Sequence, residues 1–259
     1  MITFSNIGKL GRIGNQMFQY AALYGAAFAR GYKFAIPKNT DLERAFKLPS
    51  KSYLKNDTEQ VLFKEQDFHF NPNIWMIGDN TELHGFFQSG QYWQHCEPHI
   101  RKEFEFHDMV QAKANLYLQQ NNLENRLLVS VHVRRTDYLG KTEYHPVLGD
   151  EYYEKASNVV TSNLRTIAPG QEPVYLVFSD DTEWCKKKYV GVHVVEGNED
   201  VVDMCLMSKC QLHIIANSSF SWWGAFLSGT EAVVAPANWF GPSGPKNWDS
   251  IYRKHWVKV

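Results

Sequence analysis

The sequence is poor in the features that mark membrane, disulfide-rich and nucleic-acid-binding proteins. None of its apolar runs reaches the ~18 residues that a transmembrane helix needs. Its four cysteines form no C-x-x-C pair, so neither a zinc site nor a redox motif is indicated. Its formal net charge of −1 lacks the basic excess of a nucleic-acid-binding protein. These absences predict a soluble cytoplasmic protein, and they leave peripheral membrane association and the oligomeric state open.

The bulk composition is that of an ordinary globular protein. The chain has 259 residues, enough for one large α/β domain or two small ones. Aromatic residues make up 14% of the chain, which suits stacking on sugar rings, although an aromatic core explains them too and is favoured. The apolar stretch 17–28 contains Gln19, so it predicts a buried helix rather than a signal peptide.

Strands and helices alternate in the first half of the chain. A strand at 2–4 is followed by a glycine-rich turn, a helix at about 15–30 and a strand at 33–36. Residues 41–79 are weakly patterned, which indicates loops and short helices. The other elements predicted in this half are a strand at 83–87 and helices at 92–104 and 108–120.

The second half alternates more regularly, which predicts a mainly parallel sheet with helices on both faces. Its predicted strands lie at 127–133, 174–178, 192–195, 212–216 and 232–235, and its predicted helices at 150–167, 182–188, 199–209 and 220–227. The polar stretch 121–125 is the best candidate for a linker. We therefore predict an α/β fold of two Rossmann-like domains, 1–125 and 126–259, with a ligand cleft between them.

Two adjacent arginines follow the strand predicted at 127–133. The carboxyl ends of strands in open α/β sheets border the ligand crevice, so Arg134 and Arg135 are placed there. Guanidinium forks suit phosphate because they donate paired hydrogen bonds and keep their charge. His132 and Asp137 add polar groups to the same short segment. The alternative interpretation is a salt-bridged strand terminus.

Two weaker signals lie elsewhere in the chain. The G-x-x-G turn that contains Gly14 precedes Asn15 at a predicted helix start, where phosphate binds well, but a plain turn is equally supported. Ser179, Asp180 and Asp181 follow the strand at 174–178. Acidic residues there can bind a ribose or a metal, whereas capping of the next helix explains one of the two aspartates.

A serine-rich junction precedes the helix predicted at 220–227. Asn217, Ser218 and Ser219 supply polar side chains beside the free N–H groups of a first helical turn, and Phe220 follows them. Capping alone needs only one serine. With the arginines, this junction indicates a nucleoside-diphosphate site in the second half.

Five segments together resemble one known family, the α1,2-fucosyltransferases of glycosyltransferase family 11. The resemblance covers nearly the whole chain in the family's order. The segments are GRIGNQMFQYA at 11–21, GFFQSGQYW at 85–93, HVRRTDY at 132–138, FSDD at 178–181 and NSSFSWWGA at 217–225.

The resemblance implies a GT-B fold with GDP-fucose as the donor substrate. Residues 1–125 are then expected to form the acceptor-side domain and residues 126–259 the GDP-sugar-binding domain. It implies transfer with inversion to the 2-hydroxyl of a terminal galactose in a glycan acceptor. It also implies no cofactor and no metal ion, so Asp180 and Asp181 are not expected to be metal ligands. Two alternatives are a fucosyltransferase of another linkage, α1,6 or protein O-linked, and an inactive sugar- or nucleotide-binding relative.

The wider group that shares the His-x-Arg-Arg sequence implies roles for single residues. Arg134 is expected to hold the β-phosphate, and His132 to contact guanine or ribose. Asp203 is expected to bind guanine, with a solvated helix residue as the alternative. The donor-binding set predicted in full is Gly14, Asn15, His132, Arg134, Arg135, Ser179, Asp180, Asp203, Asn217, Ser218, Ser219 and Phe220.

The general base is the least determined part of the prediction. Asp137, Glu143 and His145 lie within or just after the arginine segment and are of suitable types. Glu143 resembles, with an offset of one residue, a catalytic acid position of the α1,6-fucosyltransferases, but its segment can equally be an exposed loop. We predict Arg134 with Asp137 or Glu143 as the catalytic residues.

Overall fold

The computed structural model describes residues 1–55 and 60–259 and divides the chain into two compact units. The first unit contains residues 1–107 and 245–253, and the second contains 108–244 and 254–259. Each unit is built around its own parallel sheet with helices in the connections. None of the helices within the described residues is both long and apolar enough to span a membrane.

The first unit contains a four-stranded parallel sheet in the order β2-β1-β4-β3. Its long first helix is buried from Ile13 to Ala27 apart from Asn15, because the helix itself is mostly apolar and rich in alanine over these residues. The elements in chain order are β1 (Ile2–Thr3), α1 (Ile13–Arg30), β2 (Phe34–Ala35), α2 (Asp41–Ala45), β3 (Val61–Lys64), β4 (Thr81–His84) and α3 (Glu97–Glu103), with 3-10 turns at Pro72–Met76, Gly90–Tyr92, Gln94–Cys96 and Asp249–Ile251.

The second unit contains a six-stranded parallel sheet in the order β10-β9-β8-β5-β6-β7. Its core is formed mainly by Val129, Val131 and Leu212 with the tyrosines of its first long connecting helix. The elements are α4 (Asp108–Gln120), β5 (Leu128–Val133), α5 (Asp150–Ile167), β6 (Val174–Ser179), α6 (Thr182–Lys188), β7 (His193–Val194), α7 (Asp200–Met207), β8 (Leu212–Ile214), α8 (Ser219–Ser228), β9 (Val233–Ala235) and β10 (Val257–Lys258).

The division into units differs from the predicted boundary after residue 125. Helix α4 groups with the second unit, where Lys113 pairs with Glu199 at 2.6 Å and the Tyr117 hydroxyl lies 2.8 Å from His193 Nε2. The segment 245–253 groups with the first unit although it follows most of the second in sequence. A polar stretch marks a turn in the chain, whereas long-range contacts decide which unit an element joins.

Most predicted elements are present, and the errors concentrate in the first unit. The prediction for 41–79 missed β3, because three of its four residues are exposed and their apolar side chains do not alternate. The helix predicted at 92–104 is two 3-10 turns followed by α3. The two-residue strand β10 was also missed. Part of the loop prediction for 41–79 falls on residues 56–59, outside the described residues.

Candidate functional site

The arginine segment begins where the direction of strand addition changes in the second sheet. Strand β5 lies between β8 and β6, so the chain adds later strands on both sides of it. Ligands of open α/β sheets bind at the carboxyl ends of strands at such a switch point. Val133 pairs with Ser179 across β5 and β6, which brings Arg134 beside Asp180. The predicted strand-end cluster is therefore formed by the tertiary structure.

The Arg134 guanidinium lies between two carboxylates. It is 2.7 Å from Asp137 and 3.4 Å from Asp180, and its side chain is only 15% exposed. The Tyr138 ring lies 5.6 Å from the guanidinium carbon. A guanidinium that is largely shielded from water interacts strongly with anions. It is fixed in place here by a phenol ring and two acidic side chains.

Asp180 holds the backbone of the arginine segment. One carboxylate oxygen accepts the Arg135 backbone N–H at 2.9 Å, and the other accepts the Thr136 backbone N–H at 3.2 Å and the Thr136 hydroxyl. Burial opposes ionisation, but these hydrogen bonds and the Arg134 charge hold the pKa of Asp180 below its usual value. Both oxygens have protein donors, so the arrangement favours a positioning role over the predicted direct contact with donor.

Arg135 packs against the next helix. Its guanidinium lies 3.7 Å from the centre of the Trp184 ring, and its Nε lies 3.3 Å from Asp181. The other Asp181 oxygen accepts the Trp184 backbone N–H at 3.2 Å and caps α6. Capping therefore accounts for one of the two aspartates, as predicted. The Ser179 hydroxyl accepts the Asp181 N–H at 3.0 Å, so it too helps to shape the turn.

The serine-rich junction meets the arginine segment at the start of α8. Ser218 is the N-cap residue of α8, and among the described contacts its side chain makes no capping hydrogen bond. Ser219 opens the helix. The amide of Asn217 is instead a buried brace, since its Nδ2 donates to the carbonyls of Pro146 at 3.1 Å and Trp239 at 3.2 Å.

Close packing behind α8 fixes the direction of its amino end. A Cβ atom added at Gly224 would lie 2.8 Å from the Cβ of Met207 in α7, closer than such atoms approach in proteins. The absence of a side chain at Gly224 thus lets α8 pack directly on α7. The N–H groups of the first turn of α8 point toward its amino end, as in any helix, and provide an anion-binding surface.

His132 joins β5 to α8. Its Nδ1 lies 2.9 Å from the Ser221 hydroxyl, and the Phe220 ring is 5.8 Å from the imidazole. Its backbone carbonyl accepts the Tyr153 hydroxyl at 3.0 Å. Burial and, secondarily, the Arg134 charge lower the pKa of His132 to about 3, so the ring is neutral. Ser221 lies in the serine-rich segment that the sequence indicates. Its contact with His132, 89 positions earlier, cannot be predicted from a local sequence pattern.

Asp203 lies in the first turn of α7 and is half-buried. Its Oδ1 accepts the Asn198 side-chain amide at 3.0 Å. Burial raises the pKa of Asp203 to about 6, while the hydrogen bond from Asn198 opposes the rise. A partly desolvated carboxylate at a strand-to-helix connection does not fit the solvated alternative and is compatible with the predicted guanine contact.

The three candidate bases differ in environment. Asp137 is 44% exposed and bound to Arg134. Glu143 is exposed on a loop whose backbone carbonyl accepts the Ser243 N–H at 2.8 Å, as in the exposed-loop alternative. The His145 ring stacks on Tyr138 with centroids 4.6 Å apart, and burial lowers the pKa of His145. Of the three, Asp137 is the one that forms an ion pair with Arg134.

Gly14 and Asn15 lie in the first unit, at the beginning of α1. The Asn15 side-chain oxygen accepts the Gln88 amide at 2.8 Å. Gly11 precedes them with a φ of +88°, and an added Cβ would lie 2.1 Å from Asn15 Nδ2. The turn therefore requires glycine, both for its backbone and for the close approach of Asn15. It presents a defined helix start, as the G-x-x-G pattern predicts.

The arrangement of acidic, histidine and cysteine side chains bears on metal binding. Within the described residues, no three or more His, Cys, Asp or Glu side chains are grouped so as to hold a metal ion. Asp180 and Asp181 are instead bound to arginines and backbone N–H groups. Their carboxylate oxygens are thus engaged by protein donors at the ends of β5 and β6.

Comparison with solved structures identifies the fold. The fucosyltransferase NodZ from Bradyrhizobium matches with a TM-score of 0.55 and 12% identity, over 87% of this chain and 93% of that one. At this identity the likeness concerns the fold alone. It confirms the predicted α/β fold of the GT-B type.

Sequence comparison identifies the family. An α-1,2-colitosyltransferase of Escherichia coli is 29% identical over 96% of both chains. The galactoside 2-α-L-fucosyltransferase Sec1 of Mus musculus is 31% identical over 96% of this chain and 72% of the relative. The profile of glycosyl transferase family 11 matches residues 2–259, which include every segment on which the predicted resemblance rests. The arginine segment, the serine-rich helix start and the glycine turn all lie within the matched range, and this chain is a glycosyltransferase of family 11.

Proposed function

We propose that this protein transfers L-fucose from GDP-fucose to the 2-hydroxyl of a terminal galactose in a glycan, with inversion and without a metal ion or other cofactor. The observation that carries the proposal is the fixed Arg134 guanidinium at the carboxyl end of β5, next to the strand that leads into α8. Family relatives named as galactoside 2-α-L-fucosyltransferases support the acceptor linkage. A structural neighbour, the NodZ α-1,6-fucosyltransferase soaked with GDP-fucose, supports the donor.

Departure of GDP requires stabilisation of the negative charge that develops on its β-phosphate. The Arg134 fork can bind two phosphate oxygens, and the N–H groups at the start of α8 supply further donors. Fixed donors of this kind need no rearrangement as the charge develops, which is the source of their catalytic effect. The same donors neutralise the diphosphate and support the proposal that no metal ion is required.

Binding of the diphosphate also changes the surroundings of Asp137. The phosphate competes with Asp137 for Arg134, and the exposed carboxylate is then available to accept a proton. The acceptor hydroxyl loses its proton to Asp137 and its oxygen bonds to the anomeric carbon. The bond from that carbon to the β-phosphate oxygen breaks on the opposite face, and its electron pair leaves with GDP. Attack from the opposite face inverts the anomeric configuration.

The transferred sugar has a second candidate, L-colitose, because an α-1,2-colitosyltransferase matches this chain over 96% of both sequences. Colitose differs from fucose in lacking one ring hydroxyl. The alternative therefore concerns the fit around that hydroxyl and leaves the guanine and diphosphate contacts unchanged.

The test is a transfer assay with purified protein, GDP-fucose and lactose. We expect GDP release together with a fucosylated product whose linkage, determined by NMR, is α1,2 to galactose, and we expect turnover to persist in excess EDTA. GDP-mannose and an acceptor without galactose serve as controls. If no acceptor receives fucose from GDP-fucose but colitose is transferred from GDP-colitose, the donor is GDP-colitose. An α1,6 product, or metal-restored activity after EDTA, would contradict the proposal.

A further inference from the structure

Tyr138 closes the arginine segment and is buried, although it is not among the predicted site residues. Its backbone N–H donates to the Arg135 carbonyl at 2.9 Å, so the chain turns soon after it leaves β5. The Arg134 guanidinium carbon lies over the Tyr138 ring, 5.6 Å from its centre. A cation is attracted by the negative face of an aromatic ring, and more strongly when the pair is shielded from water. The ring therefore restricts where the guanidinium can lie.

The Tyr138 hydroxyl contacts a different part of the same unit. It donates to the backbone carbonyl of Asn217 at 2.9 Å, and this hydrogen bond is buried. Asn217 precedes Ser218, the N-cap residue of α8, so its carbonyl belongs to the turn that leads into the helix. One side chain thus contacts both elements to which we assign the diphosphate. Its ring contacts the Arg134 guanidinium, and its hydroxyl contacts the start of α8.

Asn217 also holds the other end of the loop 134–149, which joins β5 to α5. Its Nδ2 donates to the Pro146 carbonyl at 3.1 Å. Between the two attachments, the His145 ring stacks on the Tyr138 ring with centroids 4.6 Å apart and planes inclined by 13°. The loop is therefore attached to the β8–α8 junction at two places, both through one buried residue. Movement of the loop relative to α8 would strain both attachments.

Resting on the function proposed above, we propose that Tyr138 is a positioning residue, which sets the Arg134 guanidinium relative to the amino end of α8 so that both bind one diphosphate. Phenylalanine at this position would supply the ring but not the hydrogen bond to Asn217. The hydroxyl is therefore the group that links the two phosphate-binding elements. Displacing a catalytic group by about 1 Å can lower a rate about 100-fold, so such a link contributes to turnover without contact with the substrate.

Calorimetric titration with GDP and steady-state kinetics test the role of the hydroxyl. Tyr138→Phe should weaken GDP binding about fivefold and lower kcat about tenfold, while the acceptor KM and the binding stoichiometry stay unchanged. Tyr138→Leu, which also lacks the ring, should lose more of both. A purely structural role would reduce the melting temperature and the active fraction, but not the GDP affinity of the folded molecules.

Tyr152→Phe is the matched control. Tyr152 is a buried tyrosine of the same unit, and its hydroxyl also donates to a backbone carbonyl, that of Ile215. The substitution removes the same kind of hydrogen bond away from Arg134. We expect this variant to keep the GDP affinity and the kcat of the unmodified protein.

A double-mutant cycle on GDP affinity shows whether Tyr138 acts through Arg134. In the Arg134→Lys protein, Tyr138→Phe should weaken GDP binding by less than about twofold, because the fork that Tyr138 positions is already absent. Equal factors in the two backgrounds would overturn the inference, as would unchanged GDP affinity in folded Tyr138→Phe. A protein that shows this coupling but transfers no fucose would instead contradict only the proposed function.

Discussion

Two loops at the carboxyl ends of parallel strands differ sharply in charge. The loop after β5 in the second unit contains Arg134 and Arg135, each paired with an aspartate. The loop 66–73 follows β3 in the first unit and lines a cavity together with Asn247 and Asp249. It contributes carboxylate, amide and imidazole groups, and no arginine or lysine is among the described residues that line this cavity. Both loops occupy the position where α/β sheets bind ligands. The difference teaches that strand topology provides the place, whereas the charge of the loop decides whether that place suits an anionic or a neutral ligand.

Changing Arg134 is the most direct way to break this contrast. Arg134→Lys keeps the charge but loses the planar fork, so turnover should fall roughly 100-fold while the protein stays folded. Turnover with GDP-fucose is the measurement, and circular dichroism checks the fold. Arg126→Lys, an identical change at an exposed position of the same unit, should leave turnover unchanged. Near-normal turnover in a folded Arg134→Lys protein would remove Arg134 from the catalytic site.

Asp203 sharpens the comparison, because we propose that it recognises the guanine base of the donor. Its carboxylate can accept both the N1–H and the 2-amino hydrogens of guanine, so Asp203→Ala should weaken GDP binding about tenfold or more. The thermal shift with GDP should drop toward that with UDP. Because burial raises the pKa of Asp203 to about 6, the preference for GDP should also decline between pH 7.5 and pH 5, as the carboxylate is protonated.

The control for this prediction is Glu154→Gln, at an exposed carboxylate in α5 of the same unit. Equal thermal shifts with GDP and UDP in the unmodified protein would overturn the guanine donor. A preference that survives in Asp203→Ala would move the guanine contact to another residue.

The Arg135–Trp184 contact tests whether both arginines serve the ligand. Stacking of a partly desolvated guanidinium on tryptophan stabilises by about 1–2 kcal/mol, so Trp184→Leu should lower the free energy of unfolding by about that amount. A double-mutant cycle with Arg135→Met, measured by urea denaturation, isolates the pair. Trp184→Phe should recover part of the loss. A coupling free energy near zero would show that the contact between Arg135 and Trp184 does not stabilise the fold.

His213 provides an expected effect on stability alone, a pH dependence of folding that is unrelated to ligand charge. It is fully buried in β8, and burial lowers its pKa to about 3. The unfolded chain binds one more proton than the folded one between about pH 3 and 6.5, so His213 weakens the fold as the pH falls below about 6.5. The slope is about 1.4 kcal/mol per pH unit.

Urea denaturation of His213→Gln at pH 7 and pH 5 measures this contribution. The difference in unfolding free energy between the two pH values should be smaller than in the unmodified protein. His255→Gln, at an exposed histidine of the same unit, is the control. An equal pH difference in both variants would show that His213 is not kept neutral in the fold.

The sequence by itself determined the second unit and the composition of its site. Strands such as β5 and β6 are continuous apolar runs ended by polar residues, and this pattern is local. Each motif is a short continuous segment, so Arg134, Asp180 and the serines at 218–219 could be predicted as site residues from the sequence. Parallel strands then bring their carboxyl ends together, which is why the predicted cluster is present in the structure.

The tertiary structure alone decided the partners of these residues. These contacts join residues that are 44 to 89 positions apart in sequence: Asp180 with Thr136, Ser221 with His132, and Trp184 with Arg135. Strand β3 is an exposed edge without an apolar alternation. The cavity joins loop 66–73 to Asn247 and Asp249, which follow the second unit's elements in the chain. Such contacts depend on how helices, strands and loops pack against each other, and a local pattern of apolar and polar residues does not specify that packing.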